Sequence, residues 1–452
     1  MFRATLLAAA LAAAFPTYAQ SDLDALRAEL KALQTAYEAR IAALEARIQQ
    51  AEIPPLAAPV TAPVAAAAPQ ADSRPGSAGF NPDISLILQG RYARLDAIDE
   101  RHIGGFLPAG HAHGMPRGFS LDHTELALTA SIDPYFNGYF NLALFDDEVE
   151  VEEAWFQTSS LGQGVTVKGG RFLSGLGYQN AQHPHAWDFA DNSLMYRALF
   201  GESYGNDGVQ LKWVAPTALF MELGAEAGRG ADFPGNDRNR NGAGSTTLFG
   251  HLGGDVGASH SWRAGLSYLH TKANDRDGEI EDFNDEHAET LFSGKSRTWV
   301  ADLVWKWAPD GNAHARNFKF AAEYFRRTER GSLECEDNRA DGGACDGTTD
   351  AYRSRQSGYY AQGIYQFMPR WRTGYRYDRL DPGTVNFGAN SAFLPLSDHK
   401  PERHSLMLDY SPSEFSRLRL QYSKDQSMAS QNEDQWFVQY IHSLGAHGAH
   451  RF

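Results

Sequence analysis

Ten basic side chains recur on the polar face of alternating segments: Arg91, Lys212, Arg263, Lys306, Lys319, Arg327, Arg372, Arg376, Arg417 and Arg419. Six carboxylates share that face: Glu222, Glu226, Asp302, Glu323, Asp378 and Asp409. A water-facing wall rich in Arg and Lys lowers the barrier for anions. The competing role is structural, because opposite charges on neighbouring strands also brace a sheet. Both roles stay open at this level, since a one-residue slip in register would turn the whole set outward.

Histidines are a second signal. His102, His111, His113 and His123 fall on or beside the connection 96–119, near Asp99 and Glu100. His183 and His185 fall in the connection 174–206, with Asp188 and Asp191. Neutral imidazoles beside carboxylates suit zinc, copper or nickel. His111, His113, His183, His185 and Asp188 are therefore the candidate metal ligands, against the commoner use of loop histidines as hydrogen-bonding groups. Cys335 and Cys345 are the only two cysteines, with nine residues between them. In an oxidising compartment they read as one disulfide pinching a loop. No H-E-x-x-H motif occurs and no Ser–His pair has a supporting context, so neither an enzyme nor a cofactor is expected.

These residues need elements to position them, and the pattern is period two from about residue 83 onward. Trp299, Ala301, Leu303, Trp305 and Trp307 alternate with Thr298, Asp302 and Lys306, and Leu418, Leu420 and Tyr422 alternate with Arg417, Arg419 and Gln421. Such dyads are half-buried strands. Sixteen segments are expected, near 84–95, 120–132, 135–145, 149–159, 164–173, 207–215, 218–228, 246–256, 261–271, 296–308, 317–328, 356–368, 371–380, 402–411, 415–425 and 434–444. Short turns such as 133–134 and 369–370 alternate with long connections, 96–119, 174–206, 229–245, 272–295, 329–355 and 381–401. Strands of about ten residues, with short turns on one side and long loops on the other, mark an outer-membrane β-barrel. A soluble sandwich or propeller is the rival, but its core would not tolerate so many charges on the second face. The fold class expected is all-β: a 16-stranded antiparallel transmembrane barrel over 81–452.

Three segments precede it. Residues 1–19 carry Arg3, an apolar stretch and Thr17-Tyr18-Ala19, the layout of a signal peptide. Residues 20–52 place apolar residues at Leu23, Leu26, Leu30, Leu33, Tyr37, Ile41, Leu44 and Ile48, a heptad seam with one stutter. Either a short oligomerising coiled coil or a strut on its own chain would satisfy that seam. Residues 53–80 are rich in Pro and Ala, a semi-rigid linker. Overall, 41 Lys and Arg stand against 56 Asp and Glu, a net charge of −15, which argues against a nucleic-acid partner.

The layout resembles the phosphate-selective porin O/P superfamily. Gly169-Gly170-Arg171-Phe172 with Gly177-Tyr178, His183-Pro184-His185-Ala186-Trp187-Asp188-Phe189, Trp299-Val300-Ala301-Asp302 and the stretch Ile441 to Phe452 are similar to a proteobacterial subgroup often labelled zinc-regulated TonB-dependent outer membrane receptor. A TonB-dependent transporter resembles a larger barrel with an N-terminal plug domain, and only a helix and a spacer precede this barrel, so the porin layout is preferred. The resemblance implies a bacterial outer-membrane channel in contact with lipid, a homotrimer, and passage of small hydrophilic solutes or ions, to which the basic wall would add an anion preference. The alternative it implies is a receptor or uptake protein for a metal ion such as zinc, with the histidine-rich loops as ligands. It also implies that 174–206 folds into the pore.

Overall fold

The computed structural model describes Lys31 and residues 82–98, 101–106, 116–145 and 148–445. The signal peptide, the linker, His111 and His113 lie outside the described residues, as does the helix over 20–52 except for Lys31, which is helical. The barrel belongs to the unit that begins after Ser73.

Seventeen strand segments form one antiparallel sheet: β1 Asp83–Arg94, β2 Gly118–Leu121, β3 Thr124–Ser131, β4 Phe136–Phe145, β5 Glu148–Thr158, β6 Val165–Leu173, β7 Gly205–Val214, β8 Phe220–Gly228, β9 Ser245–Val256, β10 His260–Glu281, β11 His287–Trp307, β12 Asn317–Cys335, β13 Thr349–Met368, β14 Trp371–Asn386, β15 Glu402–Ser413, β16 Ser416–Gln426 and β17 Glu433–Gly445. β2 and β3 both pair with β1 and are one strand interrupted at Asp122-His123, so the sheet has sixteen strands. β1 also pairs with β17, from Ser85↔Gly445 to Arg94↔Trp436, which closes the barrel and leaves no edge.

The strand parity sets the two faces. Leu266, Trp299, Leu303, Tyr324, Tyr359, Leu408, Leu420 and Val438 are exposed on the outside. Aromatic pairs ring the outside at two levels. Tyr268–Trp299, Tyr359–Tyr377, Tyr422–Trp436 and Tyr92–Phe119 lie toward the long-loop side. Trp305–Phe318 and Trp371–Tyr410 lie near the short turns. An apolar band between two aromatic girdles is the surface a barrel presents to lipid.

The connections differ from the expected ones on one side. β10 to β13 run 19 to 22 residues, and β14 runs 16. A bilayer needs about ten residues per strand. Much of 272–295 and 329–355, and the start of 381–401, expected as loops, is therefore strand that continues beyond the apolar band. The outward face of such a projection is polar, as at Glu289, Ser293 and Lys295, so its sequence lacks the apolar alternation that reveals a strand. Its inner face still packs Ala288, Phe292, Leu333, Tyr352, Phe387 and Leu394 around a Cys335–Cys345 disulfide.

Candidate functional site

The segment 174–204 leaves the outer end of β6 and turns into the barrel. Its helix α1, Leu194–Phe200, starts at Ser193, whose Oγ accepts from Tyr196 N–H, and stops at Gly201 with φ 81°. Ser is a favoured cap because its oxygen satisfies an orphan N–H, and Gly tolerates positive φ. Seven residues cannot hold a helix in water. Here Leu194, Met195, Tyr196, Leu199 and Phe200 are buried against Leu269, Val300, Phe325, Tyr360 and Leu380 of the inner wall. Burying each large side chain contributes roughly 1.5–3 kcal/mol.

Carboxylates of the wall anchor the segment's backbone. Glu323 accepts from Tyr178 N and Gln179 N, both at 2.9 Å, from Tyr360 Oη at 2.8 Å and from Tyr196 Oη at 3.1 Å. Glu226 accepts from Ser174 Oγ at 2.6 Å and Gly175 N at 2.9 Å. Asp378 accepts from Leu194 N at 3.1 Å. Each is a charge-assisted bond that satisfies a buried donor.

Two walls of opposite sign meet this segment. On β14–β16, Arg376 and Arg403 hold Asp191. Lys319 lies 2.6 Å from Asp188, and Arg372 bridges Asp188 and Asp409. Arg419 pairs with Asp409 at 2.8 Å and donates to Trp187 O, while Arg417 Nη2 donates to His185 O at 2.7 Å. On β3–β5, three carboxylates meet the histidines. His183 Nδ1 is 2.9 Å from Glu152 Oε2, and its Nε2 is 3.0 Å from Glu153 Oε2. Both ring nitrogens must donate in that arrangement, which describes an imidazolium. His185 Nδ1 is 2.6 Å from Glu125 Oε1, and His123 Nε2 is 3.2 Å from Glu152 Oε2.

Donor atoms of His123, Glu125, Glu152 and His183 all lie within 4.8 Å of one another. Tetrahedral zinc with bonds of about 2.1 Å needs donor spacings of about 3.4 Å, and the histidine–carboxylate pairs of the group lie 2.9 to 3.6 Å apart. Asn141 Nδ2 reaches Glu125, Glu152 and His183 at 3.0 to 3.3 Å, and its buried Oδ1 has no hydrogen-bond partner. Turning that amide over would aim an oxygen at the same centre.

All ten basic residues read from the sequence point into the barrel, and most are paired there. Arg91 meets Asp122, Lys212 meets Glu222, and Arg263 donates to Gly177 O and faces Asp302. Arg327 donates to Gln356 and lies over the Phe233 ring. Lys306, Lys319, Arg372 and Arg417 are half-buried at the short-turn end. Of the candidate ligands, His183 joins the four-donor group. His185 stacks on it at 5.9 Å and binds Glu125. Asp188 does not join: three residues past His185 the chain has crossed to the basic wall, where Lys319 and Arg372 take its carboxylate.

Sequence reading missed inward-facing groups. Glu152 and Glu153 are adjacent, and a register shift between Asn141 and Leu142 turns both toward the interior. Lys168 precedes Gly169-Gly170, where Gly170 has φ 126° and breaks the alternation. Arg403, Arg276, Glu125, Glu329, Asp425 and Glu433 are also buried inside. With these, the excess of basic over acidic wall residues largely vanishes. Gly201-Glu202-Ser203-Tyr204-Gly205 has the G-x-S-x-G spacing of a nucleophile elbow, also missed. It follows a helix and leads into β7, the reverse of the strand–turn–helix that exposes a nucleophile.

No protein-family model matches the chain. An uncharacterized protein of Aquifex aeolicus is 32% identical over 398 residues, covering 82% of this chain and 80% of that protein. The loop L8 deletion mutant of OmpT, an outer membrane protein of Vibrio cholerae, has a similar solved structure. Its TM-score is 0.50 at 12% identity, covering 80% of this chain and 99% of that one. At that identity the likeness shows the barrel fold alone.

Proposed function

The chain belongs to the same family as that Aquifex aeolicus protein, and from its barrel we propose a bacterial outer-membrane channel for passive diffusion of small hydrophilic solutes, narrowed by 174–204 and preferring anions. One observation carries the preference. Along the short-turn end of β11–β16, the half-buried cations Lys306, Lys319, Arg372 and Arg417 line the inner wall around Asp188 and Asp409. An entering anion meets this surplus before the balanced interior. Planar-bilayer recording tests the reading: stepwise current with a reversal potential favouring chloride is expected. Absence of current, or a cation preference, would refute it.

Assembly as a homotrimer with an export signal at 1–19 and a coiled coil over 20–52 completes the proposal. β4 to β8 are short, at 9 to 11 residues, and make the low side of the wall. We assign that side to contacts between copies, with the Leu23–Ile48 seam adding a second set through a high effective concentration. Deleting 20–52 should lower the temperature at which the oligomer dissociates and leave conductance per barrel unchanged.

A second reading, uptake of a transition-metal ion, is favoured by the four-donor group with the orphaned Asn141 Oδ1 beside it. In that reading His123 and His183 supply nitrogens and Glu125 and Glu152 supply oxygens, a mixed set suited to zinc.

A further inference from the structure

We propose that the outer face of β10–β13, just above the long-loop-side aromatic girdle, binds the phosphorylated headgroup of a glycolipid in the outer leaflet. This rests on the outer-membrane reading given above.

Lys272, Lys295, Arg330 and Arg353 are direct cross-strand partners in one unbroken row over four strands. Their side chains share the outward parity, opposite to buried Thr271, Ser296, Glu329 and Ser354. The next row toward the membrane adds Arg297 and Arg355 either side of Thr328. Adjacent strands are about 4.8 Å apart, so each cation faces another at close range. Like charges placed directly opposite destabilise a sheet. Among the described residues, none of these six makes an ion pair. The nearby carboxylate of Asp275 is engaged by Ser293 Oγ and Asn274 Nδ2, both at 2.7 Å. Arg238 and Arg240 of the connection 229–244 join the row to line a groove of about 530 Å³.

The place of the patch identifies its partner. Below it Tyr268 and Trp299 stack at 4.8 Å, and exposed Tyr324 and Tyr359 continue the girdle. Aromatic belts sit at headgroup level, so cations one or two rows above meet headgroup phosphates. The patch is outside the barrel and off the solute path. β10 to β13 lie two to five strand steps beyond β8, the last strand of the low wall, so the row stays against lipid when that wall is covered. Multiple phosphates on a rigid sugar would neutralise a rigid row, whereas a single-charge lipid would leave most of it unpaired.

The test uses the full chain purified in neutral detergent and measures binding, not conductance, so its failure is distinct from failure of the channel reading. A diphosphorylated glycolipid, the same lipid stripped of phosphate, and inorganic phosphate are titrated while bound lipid is read by native mass spectrometry. Wild type should bind the diphosphorylated lipid, and Lys295→Gln with Arg330→Gln should bind it roughly 25-fold more weakly, at about fivefold per charge. The charge-preserving pair Lys295→Arg with Arg330→Lys should retain binding. Both positions are exposed, so folding should survive, and heat-modifiable migration checks it; single Lys272→Gln and Arg353→Gln variants stand in should the pair misfold. Equal binding of the stripped lipid, unchanged binding by the neutralised variants, or equal competition by inorganic phosphate at matched concentration would overturn the proposal.

Discussion

Arg376 Nη2 sits 3.0 Å from Asp191 Oδ1 across 185 positions of sequence, and both side chains are almost fully withdrawn from solvent. Arg403 holds the other oxygen of the same carboxylate. A buried charge stripped of its partner costs about 3–5 kcal/mol, because the survivor stays desolvated. Asp191→Asn removes one carboxylate from each of two guanidiniums, leaving Arg376 with Asp378 and Arg403 with Asp425 on the wall and nothing charged at position 191 to hold the segment. The segment should undock while the closed wall persists. Single-channel conductance is expected to rise and become noisy, with new protease cleavage between 180 and 200. Unchanged conductance would show that this pair does not hold the constriction.

Packing of α1 gives an independent handle on the same event. Leu199 is fully buried between the helix and the wall. Leu199→Ala should cost about 2–5 kcal/mol of docking free energy through lost burial and a cavity. Its effect on conductance should parallel that of Asp191→Asn, with wild-type heat-modifiable migration.

Selectivity should follow the short-turn mouth. Arg372→Gln with Arg417→Gln removes two of its four cations. The reversal potential in a salt gradient is expected to move toward zero, more at low ionic strength, where screening is weak. A variant at the barrel's centre, Arg327→Gln, should move it less.

Metal binding has a sharp signature if the four-donor group is used. Calorimetry with Zn²⁺ at neutral pH should show one site per chain, lost in His123→Ala and in Glu152→Gln. Affinity should fall as the pH drops, since protons compete for the imidazole nitrogens. Replacing Asp188 with Asn should leave it intact, because Asp188 sits on the opposite wall. Equal Zn²⁺ binding by wild type and both ligand variants would remove the metal reading.

The Cys335–Cys345 disulfide closes a loop over a small apolar cluster beyond the exposed apolar band. Cross-linking a loop of this size restrains the unfolded chain by about 3 kcal/mol. Reduction should sensitise 336–348 to protease and leave conductance unchanged.

The sequence by itself determined the wall. On a strand without a bulge a side chain's face follows parity, so alternation placed Arg263, Lys319, Arg376 and Arg419 inside and Trp299 and Leu420 outside. It also marked the turns, since Pro and Gly act locally. What occupies the interior was decided by the tertiary structure. α1 is too short to announce itself, and its stability comes from Phe325, Tyr360 and Leu380, which are remote in sequence. The partners of Asp188 and Asp191 lie well over a hundred positions away, so the apparent His-His-Asp cluster of 183–188 divides between two walls. The row Lys272–Lys295–Arg330–Arg353 was hidden for a related reason. Each cation stands alone in its own stretch of chain, and only the register of four strands sets them side by side.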